Sequence, residues 1–102
     1  MTNPIRGEAQ IRVAGAPLVL RPTFAALVAA EEELGPLFAL VERAADGMLK
    51  LSEIVALFDH LSAAGRPEAV DRGRIGEAVT AMGLAGVSPQ LRVVLGEILK
   101  GR

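Results

Sequence analysis

Few side chains in this sequence could do acid–base or nucleophilic chemistry, and their spacing does not favour it. His60 is the only histidine and follows Asp59 directly, so on a helix the two side chains point in different directions and cannot form a proton relay. Ser52, Ser62 and Ser88 lie outside any GxSxG motif and are better explained as helix caps or surface residues. We therefore expect no enzyme activity, and we place His60 at the surface or at the edge of the core.

Metal and cofactor sites are not indicated either. The sequence contains no cysteine, which leaves carboxylates as the main candidate ligands. Glu31, Glu32 and Glu33 are consecutive, so on a helix they would fan out instead of converging on one ion. The 11 glycines form neither a GxxxxGK[ST] nor a GxGxxG motif. We expect no metal, no nucleotide and no other cofactor.

Charge and hydropathy limit the classes of partner. With 11 basic and 12 acidic residues the net charge is −1, so the basic excess typical of nucleic-acid binding is missing. The nearest approach to a basic recognition helix, Arg72-Gly73-Arg74, is short and interrupted by glycine. Charged residues, glycine or proline interrupt every apolar run before the roughly 20 residues that span a bilayer. The polar start MTNPIRGE indicates no secretory signal, and we expect a soluble, cytoplasmic protein.

Length and composition predict one small domain with an apolar interface. A chain of 102 residues predicts a single domain, residues 1–102, that buries only about two-thirds of its unfolded surface. Hydrophobic residues make up 51% of the chain and aromatic ones 3%, and the mean hydropathy is +0.39. Because so small a domain cannot hide all of this apolar surface, a partner interface is indicated.

The first element that the pattern predicts is a β-hairpin over residues 6–21. Side chains alternate in the run from Ala9 to Val13, residues 14–17 have turn chemistry, and residues 18–21 form the returning strand. A lone two-stranded hairpin is only marginally stable in water. We expect it to lie on the helices that follow, and extension by another chain's edge stays open as an assembly route.

The next segment predicts two helices that meet at a sharp bend. Thr23 is a good N-cap for a first helix that ends at Gly35, and Pro36 starts a second helix that ends near Gly47. The first helix carries one stripe of residues at helical spacing: Phe24, Leu27, Val28, Glu31 and Leu34. Two interpretations of Glu31 stay open: a carboxylate in water, or a tie that caps a backbone group or pairs with Arg21 or Arg6. Glu32 and Glu33 are expected to be solvated.

Three further helices are predicted in the rest of the chain. Ser52 is expected to cap the third, which reaches Ala64 and carries the widest apolar face, so we expect it to be the most deeply buried. Asp71 is expected to cap the fourth, and Ser88-Pro89 to start the fifth. The predicted fold class is therefore α+β, an N-terminal β-hairpin followed by four to five short helices over residues 23–100.

Two segments resemble a known family. The order N-P-x-R-G-E from Asn3 to Glu8, then L-R-P-T-F from Leu20 to Phe24 and A-L-x-x-x-E-x-x-L-G from Ala26 to Gly35, is similar to the opening of the gene-transfer-agent family of small phage-tail proteins. Residues 51–55, LSEIV, approximate that family's next helix, whereas residues 58–65, FDHLSAAG, depart from its glycine-rich ending. The family is described as a tail tube protein or, more often, as a tail assembly chaperone.

This resemblance implies a non-enzymatic function. A tail assembly chaperone binds the long, hydrophobic tape-measure protein and assists the polymerisation of tail-tube subunits, so it needs apolar grooves between helices. Our hypothesis is that six apolar residues contribute to such a groove, although each is equally well explained as core: Leu37, Leu40, Val41, Leu91, Leu95 and Ile98. The resemblance implies the tape-measure and tail-tube proteins as partners. A structural tail-tube subunit that forms homo-oligomers is the alternative.

Overall fold

A hairpin and five α-helices make up the structure, a computed structural model that describes residues 9–101. The elements, in chain order, are β1 (Ala9–Val13), β2 (Ala16–Leu20), α1 (Phe24–Leu34), α2 (Leu37–Ala45), α3 (Leu51–Ser62), α4 (Arg72–Met82) and α5 (Leu84–Lys100). The predicted α+β class, a hairpin followed by helices, is confirmed. The predicted beginning of the hairpin, including Arg6, lies outside the described residues.

The hairpin closes through a two-residue turn at Ala14 and Gly15. Their φ angles are 53° and 81°, and positive φ at both positions gives the turn whose twist matches that of paired strands. The prediction of a longer turn over residues 14–17 is wrong, since Pro17 lies within β2 opposite Arg12. Residue pairs of an antiparallel hairpin alternate between hydrogen-bonded and non-hydrogen-bonded pairs. Arg12 and Pro17 form the second pair from the turn, a non-hydrogen-bonded one, so the missing N–H of Pro17 removes no hydrogen bond between the strands.

One face of the hairpin closes the core. Apolar side chains from both strands are buried on this face: Ala9, Ile11, Val13, Leu18 and Leu20. β1 contacts α4 and α5, and β2 contacts α3. The Arg21 amide donates a hydrogen bond to the Leu61 carbonyl over 2.8 Å. The hairpin therefore lies on the helices, as expected.

Helix α3 is the centre of the core. It contacts α1, α4 and β2, and its buried residues run almost without interruption from Ile54 to Ser62, with Phe58 fully enclosed. The prediction that this helix is the most deeply buried is confirmed. The predicted N-cap is wrong: the helix begins at Leu51, and the Glu53 carboxylate accepts a hydrogen bond of 2.9 Å from the Lys50 amide. A glutamate at the third helical position can thus stabilise the helix start from inside.

The buried face of α1 differs from the predicted stripe. Phe24 is 85% exposed and Val28 is also exposed, whereas Ala30 is fully buried and Leu27 and Leu34 pack against the core. Leu27 and Leu34 lie on the predicted stripe and also on the face that is buried with Ala30, so they do not show which face packs against the core. A face with small alanine side chains lets α1 approach α3 closely, and this leaves Phe24 in water.

Three of the predicted helix ends are confirmed. Thr23 Oγ1 accepts a hydrogen bond from the Ala26 amide over 3.2 Å, and Asp71 Oδ1 accepts one from the Arg74 amide over 2.9 Å. Each satisfies a backbone N–H that the helix itself cannot pair. Gly35 ends α1 with a φ of 88°.

The beginning of α5 was predicted wrongly. The helix begins at Leu84, so Pro89 lies inside it, and Ser88 Oγ donates a hydrogen bond to the Leu84 carbonyl instead of capping the helix. Gly83 alone provides the break from α4, with a φ of 81°. The extra turn buries Val87. Pro89 has no N–H to donate to the Ala85 carbonyl, so one backbone hydrogen bond of the helix is lost there.

Candidate functional site

An apolar groove runs between α2 and α5. It consists of two cavities of about 420 and 210 Å³ that share Val41 and Leu99 in their walls. We call the two cavities together the α2/α5 groove. Its walls are residues of α2 and α5 with one residue of α1: Glu31, Leu37, Phe38, Val41, Ala44, Ala45, Ser88, Leu91, Arg92, Leu95, Gly96, Ile98 and Leu99.

Five of the six residues predicted to form a partner groove line this one. Leu37, Val41 and Ile98 line the smaller cavity, and Leu91 and Leu95 line the larger one with Val41. All five are half-buried and keep an accessible surface, and three of them, Leu37, Leu91 and Leu95, also pack against the core. Leu40 is different: it is fully buried at 0% exposure, and it lies in the core beneath the groove instead of in its wall.

Two apolar side chains at the edge of the groove were not among the predicted residues. Phe38 is 76% exposed and Leu99 is 53% exposed. The sequence did contain a signal for Phe38, because it lies off the apolar stripe of α2. An aromatic side chain at a solvent-facing position of a helix does not serve the core and therefore indicates a binding surface. Large apolar side chains that border an apolar groove are typical of a binding surface.

The groove offers apolar burial and few polar groups. Among its wall residues only Glu31, Ser88 and Arg92 carry polar side chains. The Ser88 hydroxyl is bonded to the Leu84 carbonyl, and the Glu31 carboxylate is bonded to the Leu37 amide. The groove is therefore suited to cover the apolar face of a partner.

Residues 6–101 match the family described as phage tail tube protein, GTA-gp10. The chain belongs to this family. The match covers nearly the whole chain and includes the motifs of residues 20–24 and 26–35 and the R-G-E part of the first motif, so the relation to gene-transfer-agent and phage tail proteins is confirmed. No curated protein and no solved structure matches the chain.

In this member of the GTA-gp10 family, a cluster of charged side chains connects α1, α3 and α4. Arg72 on α4 lies 2.6 Å and 2.8 Å from the two carboxylate oxygens of Glu33 on α1 and 2.9 Å from Asp59 on α3. Asp59 also pairs with Arg66, and His60 Nε2 lies 2.7 Å from Glu33 Oε1. We call these five residues the ionic cluster. Glu33 is exposed, as expected of a solvated acid, but its contacts were not expected, because Arg72 and His60 both lie within hydrogen-bond reach of it.

The hydrogen bonds of the ionic cluster shift the pKa values of its members. Hydrogen bonds from Arg72 and then from His60 lower the pKa of Glu33 to about 2. Burial of Asp59 acts to raise its pKa, but hydrogen bonds from Arg66 and Arg72 outweigh burial and lower it. The same contacts with Glu33 and Asp59 raise the pKa of Arg72. Glu33, Asp59 and Arg72 are therefore charged at physiological pH, and their contacts act as a structural clamp between three helices.

The predicted structural ties are partly visible in this GTA-gp10 family member. Glu31 Oε2 accepts a hydrogen bond from the Leu37 amide over 3.1 Å, so Glu31 caps the N-terminus of α2, one of the two roles left open. Arg21 holds the end of the hairpin to α3 through its backbone amide. Arg6 lies outside the described residues.

Within residues 9–101, no group of three or more histidine, cysteine, aspartate or glutamate side chains is arranged so that it could hold a metal ion. No single helix of this part of the chain is long and apolar enough to cross a bilayer. Helices α4 and α5 together meet the requirements of length and composition, but they meet at a bend of 116°.

Proposed function

We propose that the chain is a non-enzymatic tail assembly chaperone that binds a tape-measure protein in the α2/α5 groove and assists assembly of the tail tube. The observation that carries the proposal is the exposure of Phe38 and Leu99 beside a mainly apolar groove. Apolar surface of this kind is favourable to cover, since each Å² removed from water contributes about 25 cal/mol.

The shape of the groove supports an α-helix as the bound segment. The α5 wall of the groove runs from Ser88 to Leu99, over about 17 Å at 1.5 Å per residue, which matches about three turns of a partner helix. Side chains of α2 and α5 form the two sides of the groove and can accept apolar residues at i, i+3, i+4 and i+7 of a third helix. A tape-measure protein, long and hydrophobic, supplies such helices and needs cover until the tube surrounds it.

The proposed setting follows from this task. Capture of the tape-measure protein takes place in the cytoplasm of the bacterial host cell during particle assembly. The chaperone then transfers its cargo to the tail-tube protein, the second proposed partner. Neither step requires an active site, because association and release depend on the difference in affinity between competing surfaces.

Co-expression with the tape-measure protein tests the proposal. We expect Val41→Asp and Leu95→Asp each to lower the captured amount at least about tenfold, because an unpaired carboxylate would be placed in the apolar groove. Both wild-type residues are half-buried, so circular dichroism must show that each variant is folded. Leu40→Asp is not a suitable variant, since Leu40 is fully buried. Undiminished capture by both folded variants would refute the proposed site.

A structural tail-tube component is the second candidate function, and the description of the matched family favours it. A tube subunit should form rings or open-ended polymers, and it normally needs a larger β-sandwich than the two strands present in residues 9–101. Size-exclusion chromatography with light scattering separates the candidates. Discrete small oligomers favour the chaperone, whereas open-ended assemblies favour the tube subunit. A tape-measure gene next to the coding gene would further support the chaperone.

A further inference from the structure

A second groove lies between α3 and α4, on residues that the proposed function does not use. Its volume is about 850 Å³, and it shares no wall residue with the α2/α5 groove. We call it the α3/α4 groove. Its walls are formed by the end of α1 and by facing residues of α3 and α4: Glu33, Leu34, Leu51, Ser52, Glu53, Val55, Ala56, Arg72, Gly73, Gly76, Glu77, Thr80 and Ala81.

The floor of the α3/α4 groove is apolar and built from small residues. Gly73 and Gly76 on α4 face the side of α3 that carries Val55 and Ala56. A Cβ atom added at Gly73 would meet only Asp71 Oδ1, at 3.4 Å, so the space above this backbone is open. A Cβ atom at Gly76 would be in ordinary contact with Val55. A partner helix could therefore approach the backbone of α4 closely at Gly73.

The rim of the α3/α4 groove carries three carboxylates, two of which are already paired. Three wall residues are glutamates, at positions 33, 53 and 77, and Arg72 is the only basic wall residue. Glu33 is paired with Arg72, and Glu53 is paired over 2.5 Å with Arg43, which lies outside the groove walls. Glu77 is exposed and forms no ion pair within residues 9–101. A bound segment thus meets an apolar floor and an unneutralised carboxylate on the α4 side.

We propose that the α3/α4 groove docks an amphipathic helix of a partner protein whose small apolar stripe is flanked by lysine or arginine. The apolar stripe would cover Leu51, which is 43% exposed in the wall of this groove, and the open backbone at Gly73. The basic flank would lie against Glu77. The proposal is independent of the tape-measure assignment, because the two grooves have no residue in common.

Two synthetic helices test the proposal directly. Both have about 18 residues, roughly 27 Å of helix, and the same alanine and leucine stripe, but one has lysine flanks and the other has glutamate flanks. Titration calorimetry with the full chain should show binding of the lysine helix, and binding of the glutamate helix at least about tenfold weaker. Equal binding of the two helices would overturn the proposal, because it would show unspecific apolar adhesion.

Variants locate the binding in the groove. Gly73→Leu fills the open floor and replaces glycine by a better helix former, so the chain should stay folded while the lysine helix binds at least about tenfold more weakly. Gly86→Leu is the matched control, because Gly86 is an exposed helical glycine in the wall of neither groove. A Cβ atom added there would likewise have one neighbour at 3.4 Å, Met82 Cβ, and the variant should leave binding unchanged. Glu77→Lys should weaken binding of the lysine helix and strengthen that of the glutamate helix.

Three results would refute the assignment. The first is an equal loss of lysine-helix binding in the Gly73→Leu and Gly86→Leu variants. The second is no response to Glu77→Lys. The third is self-association of the chain that Gly73→Leu abolishes, seen by light scattering, since this would assign the groove to a second copy of the chain.

Discussion

The guanidinium of Arg72 lies against the carboxylate of Glu33 in a bidentate pair, with nitrogen–oxygen distances of 2.6 and 2.8 Å across 39 positions of sequence. The pair joins α4 to the end of α1, and Asp59 of α3 completes the contact from below. Bidentate pairs that belong to a network contribute more than isolated surface ion pairs do. The ionic cluster thus fixes the relative positions of three helices around the α3/α4 groove.

Acid should destabilise the protein through this cluster. The pKa of Glu33 falls from 4.5 to about 2 on folding, and the pKa values of Asp59 and Glu53 are also lowered. A carboxyl group with a lowered folded-state pKa stabilises the fold above its unfolded pKa, and this contribution is lost as the pH falls towards the folded value. We expect the free energy of unfolding, from urea titrations, to fall between about pH 4.5 and about pH 2.

Glu33→Gln is the control for this prediction. The variant should be less stable than the wild type at neutral pH by about 1 kcal/mol, the order expected of a partly exposed ion pair. Its unfolding free energy should fall less steeply in acid, because one titrating group is gone. If the variant showed the same dependence of unfolding free energy on pH as the wild type, Glu33 would not contribute to the acid sensitivity.

Truncation of two phenylalanines should change the stability of the protein by very different amounts. Phe58 is fully buried on α3 and Phe38 is 76% exposed on α2. Phe58→Ala should cost about 3 to 5 kcal/mol, because it leaves a cavity in the core, and in so small a domain this approaches complete unfolding. Phe38→Ala should stay within about 0.5 kcal/mol of the wild type. Thermal unfolding followed by circular dichroism measures both, and equal losses would contradict the assigned burial.

The cap at the start of α2 gives a third prediction. Glu31→Ala removes the acceptor of the Leu37 amide and should cost about 1 kcal/mol. Glu32→Ala, at the exposed neighbouring position, serves as the control and should change stability by less than about 0.5 kcal/mol. Urea unfolding at neutral pH compares them. Indistinguishable midpoints would show that the cap contributes nothing.

Replacing Pro89 tests where α5 begins. In a helix that starts at Leu84, Pro89→Ala restores an N–H that can donate to the Ala85 carbonyl, so the variant should be more stable by roughly 1 to 3 kcal/mol. If the helix began at Ser88 instead, the proline would occupy its favoured first position and its loss would bring no gain. The melting temperature decides between the two, and a rise of at least about 4 °C is expected.

Local chemistry made much of this fold predictable. The hairpin followed from alternation and turn residues, and Thr23, Asp71 and Gly35 marked helix ends because each acts on its own neighbouring backbone. The wide apolar face of α3 similarly predicted its central position.

The remaining features depend on contacts between distant parts of the chain. The contacts of Glu33 with Arg72 and His60 were not predicted, since the sequence does not show that these residues come close to it. The exposed position of Phe24 follows from the choice of an alanine face for α1, which tertiary packing decides. Local signals favoured Ser88 as the start of α5, but the helix begins at Leu84 because the additional turn buries Val87 in the core.

For the candidate site, the sequence predicted five of the wall residues of the α2/α5 groove, because helical apolar spacing locates both faces that meet there. It could not separate Leu40 from the others, since depth below the surface depends on how α2 and α5 cross. The position of Phe38 off the apolar stripe of α2 could have indicated its exposure, whereas the α3/α4 groove became visible only in the packed structure.

The most direct test of the central claim compares capture of the tape-measure protein by Phe38→Asp and Phe24→Asp. Both phenylalanines are exposed, at 76% and 85%, and both lie in the first turn of a helix, but only Phe38 borders the α2/α5 groove. After co-expression and affinity capture, Phe38→Asp should retain less than about a tenth of the wild-type amount, and Phe24→Asp should retain nearly all of it. Equal retention by the two folded variants would contradict the proposed groove.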